Sequence, residues 1–254
     1  MARERSAFLK AVLSAAFLAG MTWLPSVALA GPGTLREGLF GQRPSDGRSL
    51  NAPAVARYVS EDGQSFVLDR SQRPPLLKFD NSPEVWALSS KQAPRGDIIY
   101  KTDLGKSILR ATRLGGVTLF TDAQPSGFAV SLGGPAAPLR LAPMGPQAMA
   151  ERVLQASARA SRAAHRLIQF EAEASPESAS LIADTAIVTA EAVVRMARRR
   201  DGGPMLTRFS KVTVVEGKKV AATVRQRALV ITVVTANGFA GRPSSDRILD
   251  AASK

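Results

Sequence analysis

Two long segments with helical periodicity lie between two groups of short apolar segments, and this order restricts the fold of the 254-residue chain. The helical segments run roughly over residues 147–173 and 176–200, and short apolar runs separated by turn residues occupy residues 55–132 and 207–235. Short runs at such intervals are typical of strands, and alternating apolar and polar residues within them indicate one buried face. The sequence therefore predicts an α+β protein whose first part is an antiparallel sheet or a partial barrel.

The two helical segments are predicted to form an antiparallel helical hairpin over residues 147–200. Basic residues recur every seven positions on the first segment and acidic residues on the second: Arg152, Arg159, Arg166, Glu177, Asp184 and Glu191. A turn between the segments pairs Arg159 with Glu191 and Arg166 with Asp184, and it leaves the first arginine of the series without an acid. The alternative is a basic helix for a phosphate backbone or a membrane surface, but the adjacent acidic stripe would neutralise part of its charge.

Strand patterns return after the second helical segment. The runs Val212–Val215 and Val220–Val224, separated by a Glu-Gly-Lys turn, predict a C-terminal β-hairpin. The β-branched run Leu229–Thr235 predicts a central strand, and serine caps predict a short helix over residues 244–252. We expect a single α+β domain over residues 54–254.

Residues 1–30 have the pattern of a secretory signal peptide. A basic start is followed by an apolar run of about 15 residues that ends at Pro25, and Ala28, Leu29 and Ala30 form a small-x-small cleavage site. An uncleaved anchor would need about 20 apolar residues. We therefore expect a flexible arm over residues 31–53 and a soluble periplasmic or secreted protein without a transmembrane anchor.

Composition excludes several kinds of chemistry. The chain has no cysteine, which excludes disulfides, thiol nucleophiles and thiolate metal sites. Its single histidine, His165, excludes multi-histidine metal sites, and the chain has no G-x-S-x-G nucleophile motif. The sequence therefore predicts no catalytic residues, no metal and no cofactor.

The charge distribution favours an anionic partner. The net charge is +13, and removal of residues 1–30, with three basic residues and one acid, leaves +11. The last fifty residues hold nine basic and three acidic residues. Aromatic residues make up only 6%, which does not support stacking on nucleic acid, and export makes nucleic acid scarce. The sequence thus predicts an anionic envelope component, lipid or polysaccharide, as partner and no nucleic acid.

The strongest candidate for an anion-binding surface is a set of four cations in the C-terminal β region: Lys211, Lys219, Arg225 and Arg227. The last three share one parity along the predicted hairpin, so they are expected to face water together. The alternative is a solubilising strand face whose charges block edge pairing.

A second candidate site surrounds Asp97 and Asp103, which flank a predicted strand that contains Tyr100. Two carboxylates near a tyrosine are able to support acid and base chemistry, which would make the protein a periplasmic hydrolase. The alternative is that both aspartates are ordinary turn residues. The sequence favours a non-enzymatic, envelope-associated binding module over the hydrolase.

Four stretches of the chain carry a resemblance to a known family: Ser82–Leu88, Arg95–Tyr100, Leu109–Phe120 and Gly241–Ser245. They resemble an uncharacterised family of exported alphaproteobacterial proteins, the domain of unknown function 4908 family. The resemblance implies export and one family over most of the chain. It implies no activity and no functional residue.

Overall fold

The computed structural model describes residues 52–254, so the predicted signal peptide and all but the end of the predicted arm lie outside the described residues. The first part is a sheet of nine antiparallel strands in the order β4-β3-β2-β1-β9-β8-β7-β6-β5. These strands are β1 Val55–Ser60, β2 Ser65–Asp69, β3 Leu76–Phe79, β4 Val85–Ala87, β5 Ser89–Gln92, β6 Ile98–Lys101, β7 Ser107–Ala111, β8 Val117–Leu119 and β9 Phe128–Pro135. The predicted antiparallel region is confirmed.

The sheet is nearly closed, because its two edge strands follow each other in the chain. Only Leu88 separates the end of β4 from the start of β5, and its side chain is fully buried. Alternate residues of the strands point inward to one apolar cluster that includes Tyr58, Phe66 and Leu109. The period-two pattern thus produces a curled sheet with its own core.

Four helices and four more strands form the second part. The helices are α1 Pro146–Ala164, α2 Ala179–Ala197, α3 Gly202–Thr207 and α4 Ser245–Ser253. The strands are β10 Gln169–Ala172, β11 Lys211–Glu216, β12 Ala221–Arg225 and β13 Ala228–Val233. None of the helices between residues 52 and 254 is long and apolar enough to cross a membrane.

The first long helix is shorter than predicted. It ends at Ala164, and His165 adopts a left-handed backbone conformation with φ of 51°. The following residues alternate between buried Ile168, exposed Gln169 and buried Phe170, and they form β10. The helical assignment to residue 173 overlooked this period-two alternation, so the predicted helical hairpin contains a strand.

The two long helices nevertheless pack on each other, and one of the two predicted ion pairs forms. Arg159 pairs with Glu191 across α1 and α2. Arg166 and Asp184 do not pair. Arg166 lies beyond the helix end and donates to backbone carbonyls, whereas Asp184 accepts from Arg242.

The C-terminal strands pair differently from the prediction. Their order is β10-β11-β13-β12, with the first three parallel and β12 antiparallel at the edge. The predicted hairpin between Val212–Val215 and Val220–Val224 is therefore wrong, because β11 pairs with β10 and β13 on its two sides. The true hairpin joins β12 to β13 through Gln226 and Arg227, and β13 is central as predicted.

The segment Thr235–Gly241, which forms a 3-10 turn, and the cap of α4 join the two parts. Phe239 packs against Leu76 and Val85 of the nine-stranded sheet. Ser244 caps α4 by accepting a hydrogen bond from the Arg247 amide at 3.1 Å, which confirms the predicted short C-terminal helix. We call the boundary between the two parts the seam.

Candidate functional site

Three of the four predicted anion-binding residues lie at the same end of the strands of the C-terminal sheet. In the strand register, Lys211 of β11 lies opposite Ala228 of β13, and Arg225 of β12 lies opposite the same alanine. Arg227 occupies the turn immediately before that alanine. The three parallel strands begin at this end of the sheet, so their first residues lie close to the turn that joins β12 to β13.

Arg166 joins this group from the segment that leads into β10. Its guanidinium donates to the backbone carbonyls of Leu206 and Phe209. The amide of Ser210, which follows Phe209, donates to the carbonyl of Arg227 at 2.9 Å, so Arg227 lies beside this site. Burial and, to a lesser extent, the charge of Arg227 lower the pKa of Arg166. We refer to Arg166, Lys211, Arg225 and Arg227 as the basic end.

The charges of the basic end are only partly neutralised. Lys211 pairs with Glu171 of β10 at 2.5 Å. Arg225 and Arg227 are exposed, and neither makes an ion pair with any residue between 52 and 254. Two guanidinium groups therefore remain available to an external anion.

Lys219 lies elsewhere. It precedes β12, whose first residue Ala221 is opposite Thr232, whereas the last residue of β12, Arg225, is opposite Ala228. The strand separates the two levels by about 13 Å at 3.3 Å per residue. Lys219 lies in the turn before β12, at the far end of the sheet from Arg225.

The predicted carboxylate site is not assembled. Asp97 and Asp103 lie at opposite ends of β6. Asp97 accepts from the Nε of Arg110 at 2.8 Å, and this hydrogen bond lowers the pKa of its carboxyl. Asp103 accepts from Ser244 and from Arg247, while Tyr100 is buried in the core. Both aspartates are therefore occupied by separate structural contacts.

His165 also lacks a catalytic setting. It is exposed and terminates α1 through its left-handed conformation. In the part of the chain that the structure describes, no group of three His, Cys, Asp or Glu residues is placed to hold a metal ion.

The most deeply buried ionic cluster lies at the seam. The carboxylate of Glu84 accepts from the amide of Ser245 at 2.8 Å and from its hydroxyl at 2.5 Å, and a guanidinium nitrogen of Arg242 lies 3.8 Å away. Burial raises the pKa of Glu84 to about 7, although Arg242 and Ser245 oppose this shift. Because Glu84 is 1% exposed, the cluster is a structural tie between the two parts of the protein.

A groove along the seam brings together three cations that sequence reasoning did not assign to a site. Lys78, Arg140 and Arg152 line one cavity of about 360 Å³. Two signals in the sequence pointed to it. Leu139 and Leu141 are apolar residues within a proline-rich segment, and Arg152 is the arginine that the predicted pairing left without an acid.

The fold and these surfaces define an α+β protein in which a nearly closed antiparallel sheet is tied to a helix-packed, mostly parallel sheet. The chain belongs to the family described as Domain of unknown function (DUF4908), whose model matches residues 34–252. No curated protein and no solved structure matches it significantly. The family resemblance seen in the sequence is confirmed, and the likeness brings no assigned function.

Proposed function

We propose that this protein is an exported, non-enzymatic binding module that attaches to an anionic component of the cell envelope through its basic end. The proposal is carried by the position of four cations, Arg166, Lys211, Arg225 and Arg227, at one end of the C-terminal sheet. Glu171 pairs with only one of them, Lys211. Clustered exposed cations attract anionic surfaces and speed encounter with them.

The backbone of the hairpin turn supports a binding role for Arg227. Gln226 and Arg227 have φ values of 47° and 60°, so both occupy the left-handed region. A two-residue turn of this kind favours Asn-Gly, and a residue with a β-carbon there costs about 1 kcal/mol. A long cation kept at a strained position is typical of a functional site.

The alternative, a hydrolase, lacks its site in this structure, since the two aspartates are at opposite ends of β6. The export part of the proposal rests on the signal-peptide pattern of residues 1–30, which lie outside the described residues. Lys219 belongs to the predicted set but not to the basic end.

The experiment compares binding to vesicles of phosphatidylcholine with and without phosphatidylglycerol at 50 and 200 mM salt. The test variant is Arg225→Glu with Arg227→Glu. The control is Lys218→Glu with Lys219→Glu, which changes the net charge by the same amount at the far end of the sheet. At roughly 1 kcal/mol per cation near an anionic membrane, the test variant is expected to bind at least about thirtyfold more weakly.

The control is expected to bind nearly as well as the wild type, and binding is expected to weaken with salt. A parallel titration with a soluble anionic polysaccharide, alginate, separates a lipid partner from a polysaccharide partner. Equal losses in the two charge variants would show that net charge alone drives binding and would refute the proposal. Retention of full binding to both probes by the test variant would refute it as well.

A further inference from the structure

The seam contains a groove with an apolar floor. Its walls come from β3 and β4, from the segment that precedes α1, from α1 and α2, and from the 3-10 turn. The apolar groups that line it are Val85, Leu139, Leu141, Met144, Ile187 and Phe239. Leu139, Leu141, Met144 and Ile187 remain partly exposed in this concavity, so the two parts of the protein do not close over them.

Cations surround this apolar floor without partners of their own. Lys78, Arg140 and Arg152 line the groove, and none of their side chains makes a hydrogen bond or an ion pair within residues 52–254. The acid that also lines the groove, Asp184, is committed to the buried guanidinium of Arg242. The groove therefore carries an unbalanced positive charge beside an apolar surface.

A second hollow of about 300 Å³ lies beside the groove. The two share Leu139, Arg140, Leu141 and Phe239 in their linings. The volume of the groove alone, about 360 Å³, is in the range of sites for small ligands, about 300 to 1,000 Å³, and such sites concentrate where parts of a protein meet.

Hydrogen bonds hold the wall segment in place. Asp69 is fully buried, and it accepts from the amide of Leu139 at 2.8 Å and from the Ser71 hydroxyl at 2.6 Å. Gln72 donates to the Leu139 carbonyl at 2.9 Å. The groove is thus formed before any ligand arrives, which reduces the entropy lost on binding.

We propose that this groove binds a single-chain amphiphile with an anionic head group, such as a fatty acid. The acyl chain lies on the floor formed by Leu139, Met144 and Phe239, and the carboxylate is bound by Arg140 and Arg152. Both requirements of the ligand follow from the lining. A purely apolar ligand would leave the cations unpaired, and a small anion would leave the apolar side chains of the floor exposed to water. This site is separate from the basic end.

Isothermal titration calorimetry with dodecanoate below its micellar concentration tests the proposal. The wild type is expected to bind one dodecanoate per chain, and acetate and dodecyltrimethylammonium are expected to bind at least about tenfold more weakly. Arg140→Glu with Arg152→Glu is expected to weaken dodecanoate binding by about tenfold or more. The matched control is Arg162→Glu with Arg200→Glu, two exposed arginines outside the groove, which should bind as the wild type does.

A second variant tests the apolar half of the site without a change of charge. Ala142 is exposed and lines the groove, so Ala142→Trp fills it from a position that does not disturb the core. It should abolish dodecanoate binding while the circular dichroism spectrum and the unfolding midpoint stay unchanged.

Wild-type affinity for dodecanoate in both groove variants would overturn the proposal. So would equal binding of dodecanoate and dodecyltrimethylammonium. The Arg225→Glu, Arg227→Glu protein separates this inference from the proposed function, because it should lose vesicle binding but keep dodecanoate. If that protein loses dodecanoate and the groove variants keep it, the amphiphile binds at the basic end and the groove is not its site.

Discussion

The amide and the hydroxyl of Ser245 both donate to the carboxylate of Glu84, although 161 positions separate the two residues in the sequence. Arg242 lies beside the same carboxylate and also donates to the carbonyl of Val85. One short C-terminal segment therefore satisfies a buried acid and a strand of the nine-stranded sheet. The integrity of the seam depends on this contact.

Stability should fall as the pH rises from about 5 to 7.5. Burial raises the pKa of Glu84 from 4.5 to about 7, so within this interval the carboxyl ionises in the unfolded chain before it ionises in the folded protein. The folded state then loses about 2 kcal/mol relative to the unfolded state. Urea unfolding at the two pH values measures the change.

Glu84→Gln removes the titrating group while it keeps the shape of the side chain. Its unfolding free energy is expected to change much less between pH 5 and 7.5 than that of the wild type. Asp69, Asp80 and Asp97 have lowered pKa values and act only at more acidic pH, because stability from such groups is lost as the pH falls through the folded pKa. An unchanged pH slope in the glutamine variant would refute the assignment to Glu84.

Asp184 should be coupled to Arg242 and not to Arg166. The Arg242 side chain is 2% exposed and bonds to Asp184, so removal of either partner leaves a buried charge, and each single alanine variant should lose about 3 kcal/mol or more. A double-mutant cycle of Asp184→Ala with Arg242→Ala should show coupling of at least about 1 kcal/mol.

The matched cycle of Asp184→Ala with Arg166→Ala should be additive within about 0.5 kcal/mol, because Arg166 bonds to carbonyls elsewhere. Strong coupling in this second cycle would restore the ion pair that the sequence predicted and would contradict the observed helix end.

The turn between β12 and β13 should lower the stability of the folded protein, because Arg227 holds its positive charge at a left-handed backbone position. Gln226→Asn with Arg227→Gly places the preferred residues at two left-handed positions and is expected to raise the unfolding free energy by about 1 kcal/mol. The same variant should bind anionic vesicles more weakly because it lacks one guanidinium. Arg227→Lys is the control that keeps the charge and the strain, so a stability gain in that variant would count against this explanation.

Gly241 should not tolerate a β-carbon. A β-carbon built there would lie 2.0 Å from the carbonyl oxygen of Val234, so Gly241→Ala must displace the backbone of the seam. We expect a loss of about 2 kcal/mol or more in thermal or urea unfolding, as for other overpacked sites. Gly203→Ala is the control, since nothing lies within 4 Å of its β-carbon, and it should be neutral or slightly stabilising.

Local sequence patterns predicted the positions of the strands better than they predicted which strands pair with each other. The alternation of residues in 55–132 was sufficient for the antiparallel sheet, because consecutive strands there pair with their sequence neighbours over most of the order. The same assumption failed for β11 and β12. The connection from β11 to β12, residues 217–220, carries no signal that β13 lies between these two strands in the sheet.

The helical stripes show where spacing stops being informative. Arg159 and Glu191 lie within regular helices, and their predicted ion pair is confirmed. The predicted pair of Arg166 with Asp184 does not form, because Arg166 follows the left-handed residue that ends α1. The partner of Asp184 comes from a segment 58 positions away, which no periodicity in the helices indicates. Likewise, Lys211, Arg225 and Arg227 of the basic end were among the predicted residues, whereas Arg166 was not. The groove depends on residues from at least six separate segments of the chain.

The bond between Glu84 and Ser245 also determines the order in which the molecule is able to assemble. Contacts that close loops of this length form late, because their entropic loss precedes any gain from packing. Until residues 239–245 arrive, Leu76 and Val85 lack the cover that Phe239 gives them. A chain interrupted before that point would contain the folded nine-stranded sheet with Leu76 and Val85 exposed. This partly folded species is the one that a chaperone or a protease would bind first.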